Sequence, residues 1–210
     1  MAEAMKPAIT LDDPVALRAY AHPLRMALVG LLRREGPMTA TRAAAHLGDN
    51  VPNCSFHLRQ LAKYGLVERA EGADAREKPW RATALFTSWG RDSEDPQVRE
   101  AVDHLDSMVL GRYFERAQQW LARANSLPVR WRNLTGLGDN LLHVTADELE
   151  QLQQEMEELL ARYQSRIADP SLRPKDSRAI NLIRIALTFE GDDEEGDEED
   201  EGEDEDREPQ

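Results

Sequence analysis

The stretch NCSFHLRQLAKYGLVE, residues 53–68, collects side chains suited to reading nucleic-acid bases. Asn53 and Ser55 can hydrogen-bond base edges, Phe56 can cover a thymine methyl, and Arg59 can reach a guanine edge or a phosphate. Gln60 and Lys63, further along, suit the sugar–phosphate backbone. At about 100° per residue of helix, Cys54, Leu58 and Leu61 fall on one side. Pro52, Phe56, Arg59 and Lys63 fall opposite them, flanked by Asn53, Ser55 and Gln60. A bare phenylalanine among cations makes sense if DNA covers it. Taken alone, the helix fits a solvated basic face on a three-helix core equally well. The basic hairpin that follows, with Arg76, Lys78 and Arg81, favours DNA.

Such a helix must be presented by others. Residues 15–21 read as a first helix. Pro23 opens a second, where a first helical turn accepts proline, and Leu24, Ala27, Leu28, Leu31 and Leu32 form its apolar stripe before Gly36-Pro37. Thr39 and Gly48 are suitable N-cap and C′ residues for a third, short helix, MTATRAAAHLG. A turn over 49–51 leads into the stretch above, which makes a helix-turn-helix. LVERA and WRAT then read as the strands of a β-hairpin, a wing.

Charge is unevenly distributed. The net charge is −14, yet residues 190–210 alone hold 15 acidic residues and one arginine. Residues 1–189 therefore balance at 25 acidic against 25 basic. Residues 14–89 carry 11 Lys and Arg against six Asp and Glu, a mildly basic half on which the acidic total has no bearing.

The pieces LRAYAHPLRMALVGLLRREGPMT, AAHLG and NCSFHLRQLAKYGLVE, with the hairpin up to KPWRAT, resemble the ArsR-type winged-helix transcriptional regulators of bacteria over about residues 15–89. NCSFHLRQLAKYG followed by PWR is more similar still to an actinobacterial group with an extra C-terminal region. The resemblance implies double-stranded DNA as partner and a homodimer on a pseudo-palindromic operator. The copies would pair through the first helix and the long helix after the wing. That long helix, residues 96–125, has an apolar face wide enough for more than one neighbour, and Val98, Val102, Leu105 and Val109 on it are the expected interface. Arg42 departs from the pattern: it stands where the family usually has a buried aliphatic residue, so it either snorkels to the DNA backbone or leaves the third helix loosely packed. A small-molecule effector is compatible with the resemblance, which does not identify one.

Other chemistries lack their residues. The third helix has no cysteine. The long helix offers Asp103, His104, Asp106 and Glu115 but no second histidine, short of the ligands a closed metal site needs. Cys54, the only cysteine, sits on the buried stripe, where thiols are usually inert; the alternative is a redox switch in which its oxidation releases DNA. No phosphate loop or nucleophile elbow appears, so neither an enzyme nor a cofactor is expected. Trp120 and Trp131 suit either core packing or the walls of a ligand pocket. No signal peptide or membrane span is evident, and the expected location is cytoplasmic.

The expected fold is mainly α: a flexible N-terminus over 1–13, a winged helix-turn-helix over 14–90, the dimerisation helix over 96–125, a small α/β region over 126–189, and a disordered acidic tail over 190–210. In the α/β region, LLHVT reads as a strand and AINLIRIALTF as a strand or, alternatively, a helix, and Thr145 and Glu148 as a capping box opening a helix between them. The competing functional class is a winged-helix adaptor that binds proteins. It predicts no salt-sensitive DNA binding.

The tail is either a solubilising segment or a tethered polyanion that competes with DNA phosphate. About 20 disordered residues reach roughly 25 Å. Competition predicts that deleting 190–210 tightens random-DNA binding at low salt more than operator binding, and that both proteins converge as salt rises. Titration at several salt concentrations decides it; identical low-salt curves leave the solubilising role.

Overall fold

The computed structural model describes residues 5–70 and 78–189. The acidic tail, Arg76 and most of the hairpin loop lie outside these. Among the described residues, 5–179 belong to one unit and 180–189 to another.

The first unit opens with a strand, β1 (Lys6–Thr10), where a flexible N-terminus was expected. It pairs in parallel with β4 (Ala84–Ser88), with Lys6 opposite Ala84 and Ala8 opposite Phe86. The Arg33 guanidinium fastens β4 from behind, donating to the Ala84 carbonyl and the Thr87 hydroxyl, both at 2.8 Å. Neither strand alternates cleanly, and the partners lie 78 positions apart. The pairing therefore leaves no local trace.

Helices α1 (Pro14–Tyr20), α2 (Pro23–Glu35), α3 (Ala40–Leu47) and α4 (Val51–Lys63) follow as the capping residues dictate. The Asp13 carboxylate caps α1, and the Thr39 hydroxyl caps α3 by accepting from the Arg42 amide. Gly48 ends α3 at φ 67°, a left-handed conformation that a Cβ would strain. The Asn50 side chain then accepts from the Asn53 amide and starts α4. Arg42 is exposed, while Ala43 and Ala44 take the buried positions of α3.

The wing forms as expected. Strands β2 (Val67–Arg69) and β3 (Trp80–Ala82) are antiparallel, with Glu68 opposite Arg81. Trp80 also exchanges two backbone hydrogen bonds with Met38, which ties the wing to the turn between α2 and α3.

The long helix α5 (Pro96–Arg123) divides its work in two. Its first turns pack on α1 and bury Ala101, Val102 and Leu105 in the same core as Leu17, Leu28 and Leu58. Val98 and Val109 flank that core, half-buried. Of the residues expected at the interface, Val102 (2% exposed) and Leu105 (0%) are buried against their own chain. An apolar stripe looks the same in sequence whether its neighbour is the chain's own α1 or another molecule.

Beyond α5 lie a 3-10 turn, a single turn α6 (Val129–Arg132) and α7 (Ala146–Ala168). Thr145 and Glu148 form the reciprocal capping box at the start of α7. The expected strands are not there: residues 141–145 are irregular, and so are residues 180–189, which make up the described part of the second unit. The region after α5 is helical and irregular rather than α/β. Alternating apolar residues make a strand only when another edge is available to take its hydrogen bonds.

Leu105→Ala should cost about 2–5 kcal/mol in urea unfolding, as expected for a fully buried leucine. A cost below about 1 kcal/mol would contradict its place in the core.

Candidate nucleic-acid interface

Helix α4 is held by Cys54, Leu58 and Leu61, each 0% exposed, against α1, α2, α3 and the start of the wing. That fixes its rotation and turns the opposite face outward. Pro52, Phe56, Arg59 and Lys63 are exposed; Asn53, Ser55 and Gln60 are half-buried at its flanks. Phe56 is 48% exposed, unusual for a ring with a core one turn away.

The polar residues are arranged rather than loose. The Asn53 side-chain NH2 donates to both carboxylate oxygens of Asp49 at 3.0 Å, which orients the side chain. Those bonds, with one from the Asn50 backbone, hold the Asp49 carboxyl below its ordinary range. The Arg59 guanidinium donates to the Ser55 hydroxyl, one turn earlier, at 2.8 Å. An arginine placed over a serine in this way keeps most of its five donors for another partner.

The wing adds a residue that sequence reasoning missed. Arg69 lies over the Trp80 ring, 3.7 Å from its centroid, and donates to the Lys78 carbonyl. Burial, with Arg59 nearby, lowers its pKa. Arg59 and Arg69 therefore share one electrostatic neighbourhood, joining helix and wing. The available signal was the Arg69–Trp80 cross-strand pairing in the hairpin. Lys78 is exposed. Arg81 is ion-paired with Glu68 at 2.7 Å, across the strands.

Beneath the outer face lies a histidine pair. The His22 and His57 rings stack 4.5 Å apart, and Phe56 meets His57 edge-on at 5.2 Å. His22 caps α2: its Nδ1 accepts from the Leu24 amide at 3.2 Å, so this nitrogen is unprotonated and the ring is neutral. Burial and then Arg25 lower the His22 pKa. For His57 burial again comes first, followed by His22 and Arg25, against a weaker opposing pull from Asp49. The Cys54 thiol is pushed up by burial and by Asp49, which keeps it protonated and unreactive. Among the described residues no group of three metal-ligating side chains comes together, and no helix is long and apolar enough to cross a membrane.

Residues 20–70, from the end of α1 to the first wing strand, match the family model described as a helix-turn-helix domain. The chain thus carries a helix-turn-helix domain there, within a mainly helical winged fold. No curated protein matches it. Seven chains of solved structures do. One is the transcriptional regulator Tm0710 from Thermotoga maritima, 12% identical, with 72% of this chain and 88% of that one covered at a TM-score of 0.29.

The histidine pair sets a pH dependence. Both folded-state values lie below the unfolded value of about 6.5, so the unfolded chain binds protons more readily. The stability that neutral His22 and His57 contribute is complete above about pH 6.5 and is lost as pH falls through their lowered values. Protonating His22 also removes the α2 cap, a loss of order 1 kcal/mol. Urea midpoints from pH 8 to 5 should fall in the wild type and flatten in His22→Asn/His57→Gln; parallel curves would break the assignment.

Proposed function

We propose that this chain is a sequence-specific, DNA-binding transcriptional regulator that acts as a homodimer on a pseudo-palindromic operator. The observation that carries the proposal is the outward face of α4. It presents Phe56 bare beside Arg59 and Lys63, with Asn53 and Ser55 held in place by neighbours. The N-terminal part of a recognition helix meets base edges in the major groove. Here that part holds Pro52, Asn53, Ser55 and Phe56. Arg59 follows one turn later, and Gln60 and Lys63 suit phosphates. On the wing, Lys78 and Arg69 extend the cationic surface; Arg76 belongs to the same proposal from its place in the sequence. Arg81, bound to Glu68, braces the wing instead of leading the contact.

Pairing of two copies is supported by what the second half of α5 leaves uncovered. Leu110, Phe114 and Leu121 are 56%, 64% and 62% exposed. They recur at helical spacing, as an interhelical contact requires. With Val102 and Leu105 occupied inside the chain, the interface lies along these residues, with Val98 and Val109 at its edge.

Arg59→Ala should weaken binding to a selected operator by about 1–3 kcal/mol while circular dichroism stays unchanged. Equal affinity would remove α4 as the reading face. Leu110→Asp with Phe114→Asp should give folded monomers in light scattering, because both side chains lie outside the chain's own core. A persistent dimer would place the contact elsewhere.

A further inference from the structure

Among the described residues, several arginines of the first unit have an assigned partner. Arg18, Arg34, Arg81 and Arg91 are ion-paired, and Arg33 and Arg99 are hydrogen-bonded to backbone. Two arginines of α5 differ. Arg112 and Arg116 sit one turn apart and reach across to α2 at Gly30. A Cβ at Gly30 would lie 3.2 Å from Nη2 of Arg112 and 3.5 Å from Nη2 of Arg116. Two guanidinium heads thus rest side by side on bare helix backbone, where the missing side chain of Gly30 makes room. No carboxylate of the described residues pairs with either. Among the described residues, the hydrogen bond Arg112 makes is to the Pro23 carbonyl, at 3.5 Å. Burial, followed by the charge of Arg116, pushes the Arg112 pKa down to about 10, against weaker opposing effects from Tyr20, Tyr113 and Glu115.

A second feature lies on the same line of α5. Trp120, one turn beyond Arg116, has its indole Nε1 buried with no acceptor. Positions 112, 116 and 120 follow one another at four-residue steps along one helix face. The stripe carries two guanidiniums and an indole N–H, which are donors without any acceptor. Like charges held together, part-desolvated and with an orphaned donor next along the helix, are costly unless an anion completes them.

We infer that α2 and α5 form a binding site for a small ligand bearing a phosphate or carboxylate group, held by the Arg112 and Arg116 guanidiniums and the Trp120 N–H. The arginine fork matches either oxyanion with paired N–H···O bonds. The site is separate from the outer face of α4, so its occupancy can be measured without DNA. Failure of the DNA proposal would leave it standing, and the converse also holds.

The test uses the full chain and two probes, inorganic phosphate and citrate, each against sodium chloride at matched ionic strength. Bound at well above its dissociation constant, a probe should raise the melting temperature by about 2–4 °C. The Trp120 indole cross-peak, identified by its absence in Trp120→Phe, should move in the ¹⁵N spectrum of the wild type. A response to phosphate alone or citrate alone assigns the oxyanion; a response to both assigns the shared chemistry. Arg112→Gln/Arg116→Gln should abolish both signals, whereas Arg59→Gln, on the α4 face, should keep them. If the double variant is unfolded by circular dichroism, Arg116→Gln alone serves, with a loss of affinity of about tenfold or more. The inference is overturned if neither probe exceeds chloride, if the arginine variants respond like wild type, or if Arg59→Gln removes the response.

Discussion

The structure depends on one packing requirement: α4 must bury Cys54, Leu58 and Leu61 at once. These three are sealed by α1, α2, α3 and the start of the wing, and among the described residues no polar or charged side chain is buried with them. A wholly apolar core cannot absorb Asn53, Arg59 or Lys63, so the rotation that seals the stripe also determines what faces outward. The caps serve the same end. Gly48 in its left-handed conformation and the Asn50 cap set where α4 begins. A start one residue later would swing the outer residues by about 100°.

The two halves of the chain solve their hydrophobic problem differently. Up to Leu105 the leucines of the helices α1, α2 and α4 enter one core, with Leu24 packed at its edge. Past that point no described residue is buried, although Leu110, Phe114, Leu121, Leu159 and Tyr163 are large and apolar. Single exposed leucines are ordinary, but rows of them along two long helices are not. The first half folds on its own contacts. The helices of the second rely largely on their own hydrogen bonds and caps, such as the Thr145–Glu148 box.

What could be seen in the sequence follows the range of the forces involved. Helix ends were legible because capping acts over three or four residues: Thr39, Gly48 and Thr145 do what their types imply. The α4 face was legible because a 3.6-residue period separates Leu58 from Arg59 by geometry alone. Four features resisted. The β1–β4 pairing joins positions 78 apart and depends on Arg33, which nothing near either strand announces. Val102 and Leu105 were seen as apolar, but the choice between an internal and an external neighbour belongs to tertiary packing. The strands expected at 141–145 and within 179–189 have the alternation but no edge to join. Arg69 escaped because its role comes from lying over Trp80, a contact across a loop.

The turn before α2 connects features that would otherwise be unrelated. Pro23 gives its carbonyl to Arg112 of α5, and the preceding His22 caps α2 and stacks on His57 of α4. His57 in turn meets the ring of Phe56, on the outer face. The contacts run without a gap from the paired guanidiniums of α5 to the exposed ring of α4, through a short turn with a proline that restricts its backbone.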